Sequence, residues 1–289
     1  MKNILLTEKF FAMQGEGCHI GTPSIFIRAF GCSLRCQGFG RHHSDTEKYI
    51  DVIDLSKITK LDDVPILDWG CDTPAAIWPE AKHLQEKHTK ESLWEEIKSM
   101  LPDGQWTNET GNDIHLVFTG GESLLPGWQK FYVDFFTYLL SIDQMPRNVS
   151  FETNCTKALS IDLIDFILDL QQEEWYNFTF CCSPKLSTSG ETFDDRYHPE
   201  VIKQYCSTGS IAFLKFVVEN EAQVLEAKEL IKDLNFDIHS TVPVYLMPVG
   251  GTNEIYMQNK VVVHDLAIKH GFRFSPRLQC EVSENKWGT

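Results

Sequence analysis

The chain has 289 residues, 42% of them hydrophobic and 23% charged, a globular composition with enough apolar mass for a sizeable core. A net charge of -15, with 26 Lys and Arg dispersed among 41 Asp and Glu, excludes the concentrated basic face that direct nucleic-acid binding needs and favours a small-molecule substrate. No stretch approaches the roughly 20 apolar residues of a membrane span. The opening MKNILLTEKFF also lacks a long apolar region with a cleavage site, so a cytoplasmic protein is expected.

In chain order, an apolar strand at 24–30 (SIFIRAF) comes first. Residues 37–70 then break the rhythm. They start His-rich, at Gln37-Gly38-Phe39-Gly40-Arg41-His42-His43, continue polar and acidic, and read as an insertion. A helix is predicted over 90–101, where Ser92 and Glu95 have the spacing of a capping box, followed by a loop of turn formers at 102–112. From there strands and helices alternate: strand 114–118, helix 126–142, strand 149–153, helix 160–172, strand 178–182, helix 199–206, strand 211–218, helix 221–234, strand 244–247, helix 254–270 and strand 272–275. That alternation is the pattern of a parallel sheet in an α/β fold. Six or seven mostly parallel strands are too few for an eight-fold barrel, so a partial (β/α) barrel is expected, with residues 1–289 as a single domain.

Nine cysteines, an odd number in a chain too long to need staples, argue against a disulfide framework and leave thiols for metal ligation. In FGCSLRC, Cys32 and Cys36 lie just beyond the first strand, where a loop at the carboxyl end of a parallel strand faces a shared crevice. Two thiolates four residues apart can grip one metal centre. A lone CxxxC reads equally well as a buried pair, and zinc held with His42 or His43 is an alternative to iron.

The neighbouring residues carry more. Phe11-Ala12-Met13-Gln14-Gly15-Glu16-Gly17, Gly21-Thr22-Pro23 and Phe26-Ile27-Arg28 precede the cysteines, and Gly70-Cys71-Asp72-Thr73 follows. Together they resemble the amino-terminal signature of the 7-carboxy-7-deazaguanine synthases, a radical S-adenosylmethionine (SAM) family in which a QGEG segment and an FxR strand precede CxxxCxxC and Asp-Thr. In the family spacing the third cysteine falls at position 39, where this chain has Phe39, which cannot ligate iron. The Cys-Asp-Thr element stands at 71–73 instead, as if residues 37–70 were inserted between the second and third ligands.

The resemblance continues. Thr119-Gly120-Gly121-Glu122 is similar to the family's TGGEP, with Ser123 for proline, and Glu152-Thr153-Asn154 to its ETNG, with Cys155 for glycine. Ser183-Pro184-Lys185 matches its SPK element and Leu246-Met247-Pro248 another strand end; Arg277-Leu278 and residues 285–289 resemble its closing RLH and NxRGV. These motifs follow strands, where a parallel-sheet active site is built.

What the resemblance implies is a radical SAM partial barrel that converts 6-carboxy-5,6,7,8-tetrahydropterin into 7-carboxy-7-deazaguanine with loss of ammonia. It implies a 4Fe-4S cluster on Cys32, Cys36 and Cys71, with SAM on the open iron and against Gly120, Gly121, Glu122, Glu152, Asn154, Ser183, Pro184, Lys185 and Met247. Thr73 would ligate Mg2+ beside the substrate carboxylate. Substrate contacts fall on Met13, Gln14, Gly15, Glu16, Arg28, Thr119 and Thr289, with Arg28 offering a planar fork to the carboxylate and Glu16 accepting the guanidine-like N–H groups of the pterin. No catalytic residue is implied beyond the cluster and SAM. The implied partners are an electron donor such as flavodoxin or ferredoxin and a second copy of the chain in a homodimer. Cys155, Cys181, Cys182, Cys206 and Cys280 read as structural, and Cys18, near the QGEG segment, as the substitute ligand. The rival readings are a glycyl-radical activating enzyme, which needs no QGEG segment, and a pterin-binding protein that has lost the cluster.

Overall fold

A computed structural model describes residues 3–41, 45–235 and 242–289. Its strands form one sheet: β1 (Ile4–Met13), β2 (Pro23–Ala29), β3 (Glu86–His88), β4 (His115–Gly120), β5 (Asn148–Thr153), β6 (Asn177–Cys182), β7 (Ile211–Val218), β8 (Val244–Pro248) and β9 (Arg273–Phe274). The order is β3-β1-β2-β4-β5-β6-β7-β8-β9. From β2 to β9 every pairing is parallel, which gives the seven parallel strands expected of an open, partial barrel, whereas β1 runs antiparallel to both β2 and β3.

Because side chains alternate across a strand, each strand divides its residues between two environments. Leu116, Phe118, Val149, Phe151, Phe178, Phe180, Leu214 and Phe216 face the helices and form the main core. That core is stitched by aromatic rings: Phe151 stacks on Phe118 at 5.6 Å and on Phe180 at 5.4 Å, and Phe180 stacks on Tyr205 of helix Pro199–Thr208 at 5.1 Å. The helices packed on this face include Lys90–Met100, Pro126–Ser141, Ile161–Gln171, Glu221–Leu234 and Asn253–His270. The first of them starts differently from expectation. Its cap is Thr89, whose hydroxyl accepts from Ser92 N at 3.2 Å while Ser92 Oγ accepts from Thr89 N at 3.0 Å, so Ser92 is the partner in the box and not its first residue.

Strand β1 carries a register shift between Leu6 and Glu8. One extra residue reverses which side chains face which way. Ile4 and Leu6 consequently join the helix-side core, whereas Glu8 and Phe10 turn to the other face and line a cavity.

Residues 37–70 leave the barrel and come back. Gly70 N donates to Phe39 O at 2.8 Å and Tyr49 N to Gln37 Oε1 at 2.9 Å, which closes the neck of the excursion. Short helical turns at Tyr49–Val52, Leu55–Lys57 and Leu61–Asp63 bury Tyr49, Leu55 and Val64 together with Ala75, Ile77, Trp78 and Ala81, a small second core against which Cys32 and Cys71 pack. Among the described residues no helix is long and apolar enough to cross a membrane.

Phe151→Ala is expected to lower the unfolding free energy of the metal-free protein by about 3–5 kcal/mol, read by urea denaturation. An unchanged midpoint would show that this aromatic layer does not hold the sheet to its helices.

Candidate active site

The cavity, of about 230 Å³, opens on the face of the sheet away from the main core. Strand register sets its polar wall. Glu8 lies opposite Arg28, Arg28 opposite Thr119, and Thr119 Oγ1 donates to Glu152 Oε2 at 2.8 Å across the next pair. Gln14 adds its Nε2 to Glu152 Oε1 at 3.2 Å and accepts Glu16 N at 3.1 Å, which folds the QGEG segment against the same wall. Arg28 Nε donates to Glu8 Oε1 at 2.5 Å, and among the described residues its two terminal nitrogens have no hydrogen-bond partner.

Cys32, Cys36 and Cys71 line one part of this cavity, although 34 residues separate the last two in sequence. The Cys32–Cys36 loop is held by a residue with no signal in the sequence: Glu191 Oε1 accepts Arg35 N at 2.5 Å and Cys36 N at 2.6 Å, which fixes Cys36 in a left-handed conformation (φ 40°). Burial pushes the Cys32 thiol up to about 12 and raises those of Cys36 and Cys71 as well, with the neighbouring charge of Asp72 adding to the effect at Cys71. The Lys185 ammonium opposes burial at all three. Among the described residues no three His, Cys, Asp or Glu side chains converge as they would on a single metal ion. The donor set itself, three thiols in a buried pocket beside a cation, suits an iron–sulfur cluster, which needs deprotonated sulfur and compensates its charge. His42 and His43, the alternative zinc ligands, lie outside the described residues. Cys18 packs with Cys181, Phe213 and Tyr245, away from the other three thiols.

Glycines let the end of β4 run against the cysteine loop. A Cβ on Gly121 would meet Gly31 O at 2.3 Å and Cys32 Cβ at 2.9 Å; one on Gly120, already at φ 132°, would meet Ala29 O at 2.4 Å. Asn154 points its Nδ2 at Cys32 Sγ (3.6 Å) and Ser33 Oγ (3.1 Å). Cys155 takes the left-handed conformation (φ 65°) that glycine would adopt freely, a strain of roughly 1–2 kcal/mol, with its N–H satisfied by Thr153 Oγ1 at 3.0 Å. Ser183, Lys185, Met247, Met13, Gly15, Thr73 and Thr289 also line the cavity, and Thr73 Oγ1 sits 3.3 Å from Cys71 Sγ. Two of the expected SAM contacts do not. Pro184 is absent from the lining, and Glu122 is fully buried behind it, accepting Leu124 N (2.9 Å), Thr153 Oγ1 (2.8 Å) and Asn154 N (2.8 Å). Burial outweighs those three donors and raises its pKa.

Lys215, for which the motifs give no role, and Arg277 of the closing Arg-Leu element complete the cavity. Lys215, from the middle of β7, and Arg277 both pair with Glu16, and Arg277 also pairs with Asp72 and donates to Gly250 O. Gln279 Nε2 donates to Glu16 Oε1 at 2.6 Å. Burial by itself would raise the Glu16 pKa, but the charges of Lys215 and Arg277 outweigh it and hold it down to about 2. Three donors on a carboxylate with about four lone-pair positions leave Glu16 one place for a ligand. Lys215 announced itself as the single charge inside the apolar run IAFLKFVV.

No family model matches the chain. Its likeness to solved proteins is at the level of fold: the crystal structure of QueE from Escherichia coli superposes with a TM-score of 0.52 at 19% identity, covering 95% of this chain and 93% of that one. The class is thus a mostly parallel α/β partial barrel. In sequence, a 7-carboxy-7-deazaguanine synthase of Rhodopirellula baltica is 26% identical over 302 residues, spanning 99% of this chain and 89% of the relative. Another, of Halobacterium salinarum, is 25% identical over 292 residues, spanning 94% and 88%. Over nearly its whole length the chain is similar to the 7-carboxy-7-deazaguanine synthases.

Glu122→Ala removes an acceptor from three buried donors and is expected to cost about 2–5 kcal/mol of stability, with thermal unfolding as the readout. Stability equal to the parent's would show that Glu122 does not hold the Thr153–Asn154 turn.

Proposed function

We propose that this protein is a 7-carboxy-7-deazaguanine synthase, a radical SAM lyase that converts 6-carboxy-5,6,7,8-tetrahydropterin into 7-carboxy-7-deazaguanine and releases ammonia. The observation that carries the reading is that three separated cysteines line the same cavity as the QGEG segment and Arg28. Cys32, Cys36 and Cys71 would hold a 4Fe-4S cluster, which together with SAM would supply a 5'-deoxyadenosyl radical. Residues 37–70 are then an insertion that leaves the ligand set intact within a single domain.

The chain's own residues bind and orient. Gly120 and Gly121 would admit SAM close to the backbone, with Glu152, Asn154, Ser183, Lys185 and Met247 around it; Glu122 and Pro184 would act from behind by shaping the turns that carry Asn154 and Lys185. On the substrate, the free fork of Arg28 would take the carboxylate, a geometry Lys cannot reproduce. Glu16 would accept one pterin N–H at its remaining lone pair, and Gln14, Gly15, Met13, Thr119 and Thr289 would enclose the ring. Thr73 would place Mg2+ beside the same carboxylate, a cation that keeps several waters and needs few protein ligands. A flavodoxin- or ferredoxin-type electron donor, a homodimer and a cytoplasmic setting belong to the same proposal.

Anaerobic incubation of the reconstituted protein with 6-carboxytetrahydropterin, SAM and a low-potential reductant is expected to yield 7-carboxy-7-deazaguanine without net consumption of SAM. In the same assay Arg28→Lys should raise the KM for the pterin about tenfold or more while iron content stays at the parent's level. SAM cleavage with no deazaguanine product would instead favour a different radical SAM activity.

A further inference from the structure

The small core that residues 37–70 build with Ala75, Ile77, Trp78 and Ala81 has one member from far along the chain. Trp287 packs against it, and its Nε1 donates to Val64 O at 2.9 Å. Val64 is itself buried, so this acceptor belongs to the interior of the excursion. On the other side of Trp287, Gly288 N donates to Glu8 Oε2 at 2.7 Å, and the second oxygen of Glu8 accepts Arg28 Nε at 2.5 Å. Glu8 is therefore clamped between the backbone of this segment and the guanidinium of Arg28.

The approach to that contact is tightly turned. Glu284 and Asn285 both adopt φ 55°, and Gly288 φ 81°. Left-handed conformations at two successive non-glycine residues persist only where the surroundings hold them. Asn285 Nδ2 on Gly251 O (2.7 Å) secures one end, and the indole in the second core secures the other. The excursion grips the same neighbourhood again where Thr252 Oγ1 donates to Asp68 Oδ1 at 2.8 Å.

We infer that Trp287 is a positioning residue for the pterin site: seated in the core of residues 37–70, it straps segment 285–289 across the cavity so that Gly288 fixes Glu8, and Glu8 fixes Arg28. This rests on the proposed synthase activity and gives the excursion a task within it, that of holding the strap. The chemistry recognised is the substrate's carboxylate, through the orientation of Arg28. Loss of the anchor should reach the substrate's affinity before it reaches the cluster.

Two measurements on the reconstituted holoenzyme test it. Trp287→Ala is expected to raise the KM for 6-carboxytetrahydropterin about tenfold with a much smaller change in kcat and with iron content unchanged, because a misplaced binding group weakens ground-state contacts. Limited trypsin digestion should also cut after Lys286, whose side chain is exposed, at least about tenfold faster in the variant, since proteolysis follows local opening. Trp287→Phe, which keeps the ring in the core but lacks the N–H, should fall between the two and serves as the test should Trp287→Ala fail to fold. A KM within about twofold of the parent's, or cleavage at the parent's rate, overturns the proposal. A parent that does not convert the pterin at all would overturn the synthase reading instead, and the cleavage rates would still report on the anchor.

Discussion

The backbone hydrogen bond from Gly70 to Phe39, with Tyr49 N on Gln37 beside it, closes the neck of a long excursion, and the rest of the site depends on that closure. Loop entropy rises only slowly with length, so a long detour costs little more than a short one provided its ends are fastened. Here they are fastened twice, by these bonds and by a core of Tyr49, Leu55 and Val64 packed on Ala75, Ile77 and Trp78. The result is that Cys71 returns to the wall that already holds Cys32 and Cys36.

The second constraint is electrostatic. The cavity contains Glu8, Glu16, Asp72 and Glu152 together with Arg28, Lys215 and Arg277, of which Glu8, Lys215 and Arg277 are buried. Buried charges persist only when paired. Glu16 joins Lys215 to Arg277, and Arg277 joins Glu16 to Asp72, so one chain of ion pairs ties the QGEG segment to the residue that follows Cys71. The QGEG side and the cysteine side of the cavity are thereby parts of a single charge network, in which displacing either carboxylate takes one of its two partners from the buried Arg277 guanidinium.

Much of this was legible in the sequence, and the exceptions have physical reasons. The seven parallel strands announced themselves because strands buried on one side by aromatics read as apolar runs, as in IHLVF and FTFCC. Strand β1 was hidden by its bulge: ILLTEKFFAM shows no clean alternation because Leu6 and Glu8, two apart, face opposite sides. Strand Glu86–His88 is too short and polar to register. The motif residues, Arg277 and Trp287 of the closing segment among them, are visible by resemblance and spacing, but the ion pairs and backbone bonds they make are not, and Glu191 acts through backbone atoms across a long stretch of chain, for which one sequence carries no local pattern. The second core was missed because its apolar residues are scattered singly through a polar stretch and become a cluster only after the excursion folds.

The proposed ligand set depends on Cys71. Iron and sulfide counts with the visible absorption spectrum, taken on anaerobically reconstituted Cys71→Ala beside Cys32→Ala, Cys36→Ala and Cys18→Ala, test it most directly. Cys71→Ala is expected to lose the cluster as completely as Cys32→Ala and Cys36→Ala while Cys18→Ala keeps it. A Cys71→Ala protein that retains the parent's iron content and cleaves SAM at the parent's rate would contradict it, because the third ligand would then lie elsewhere.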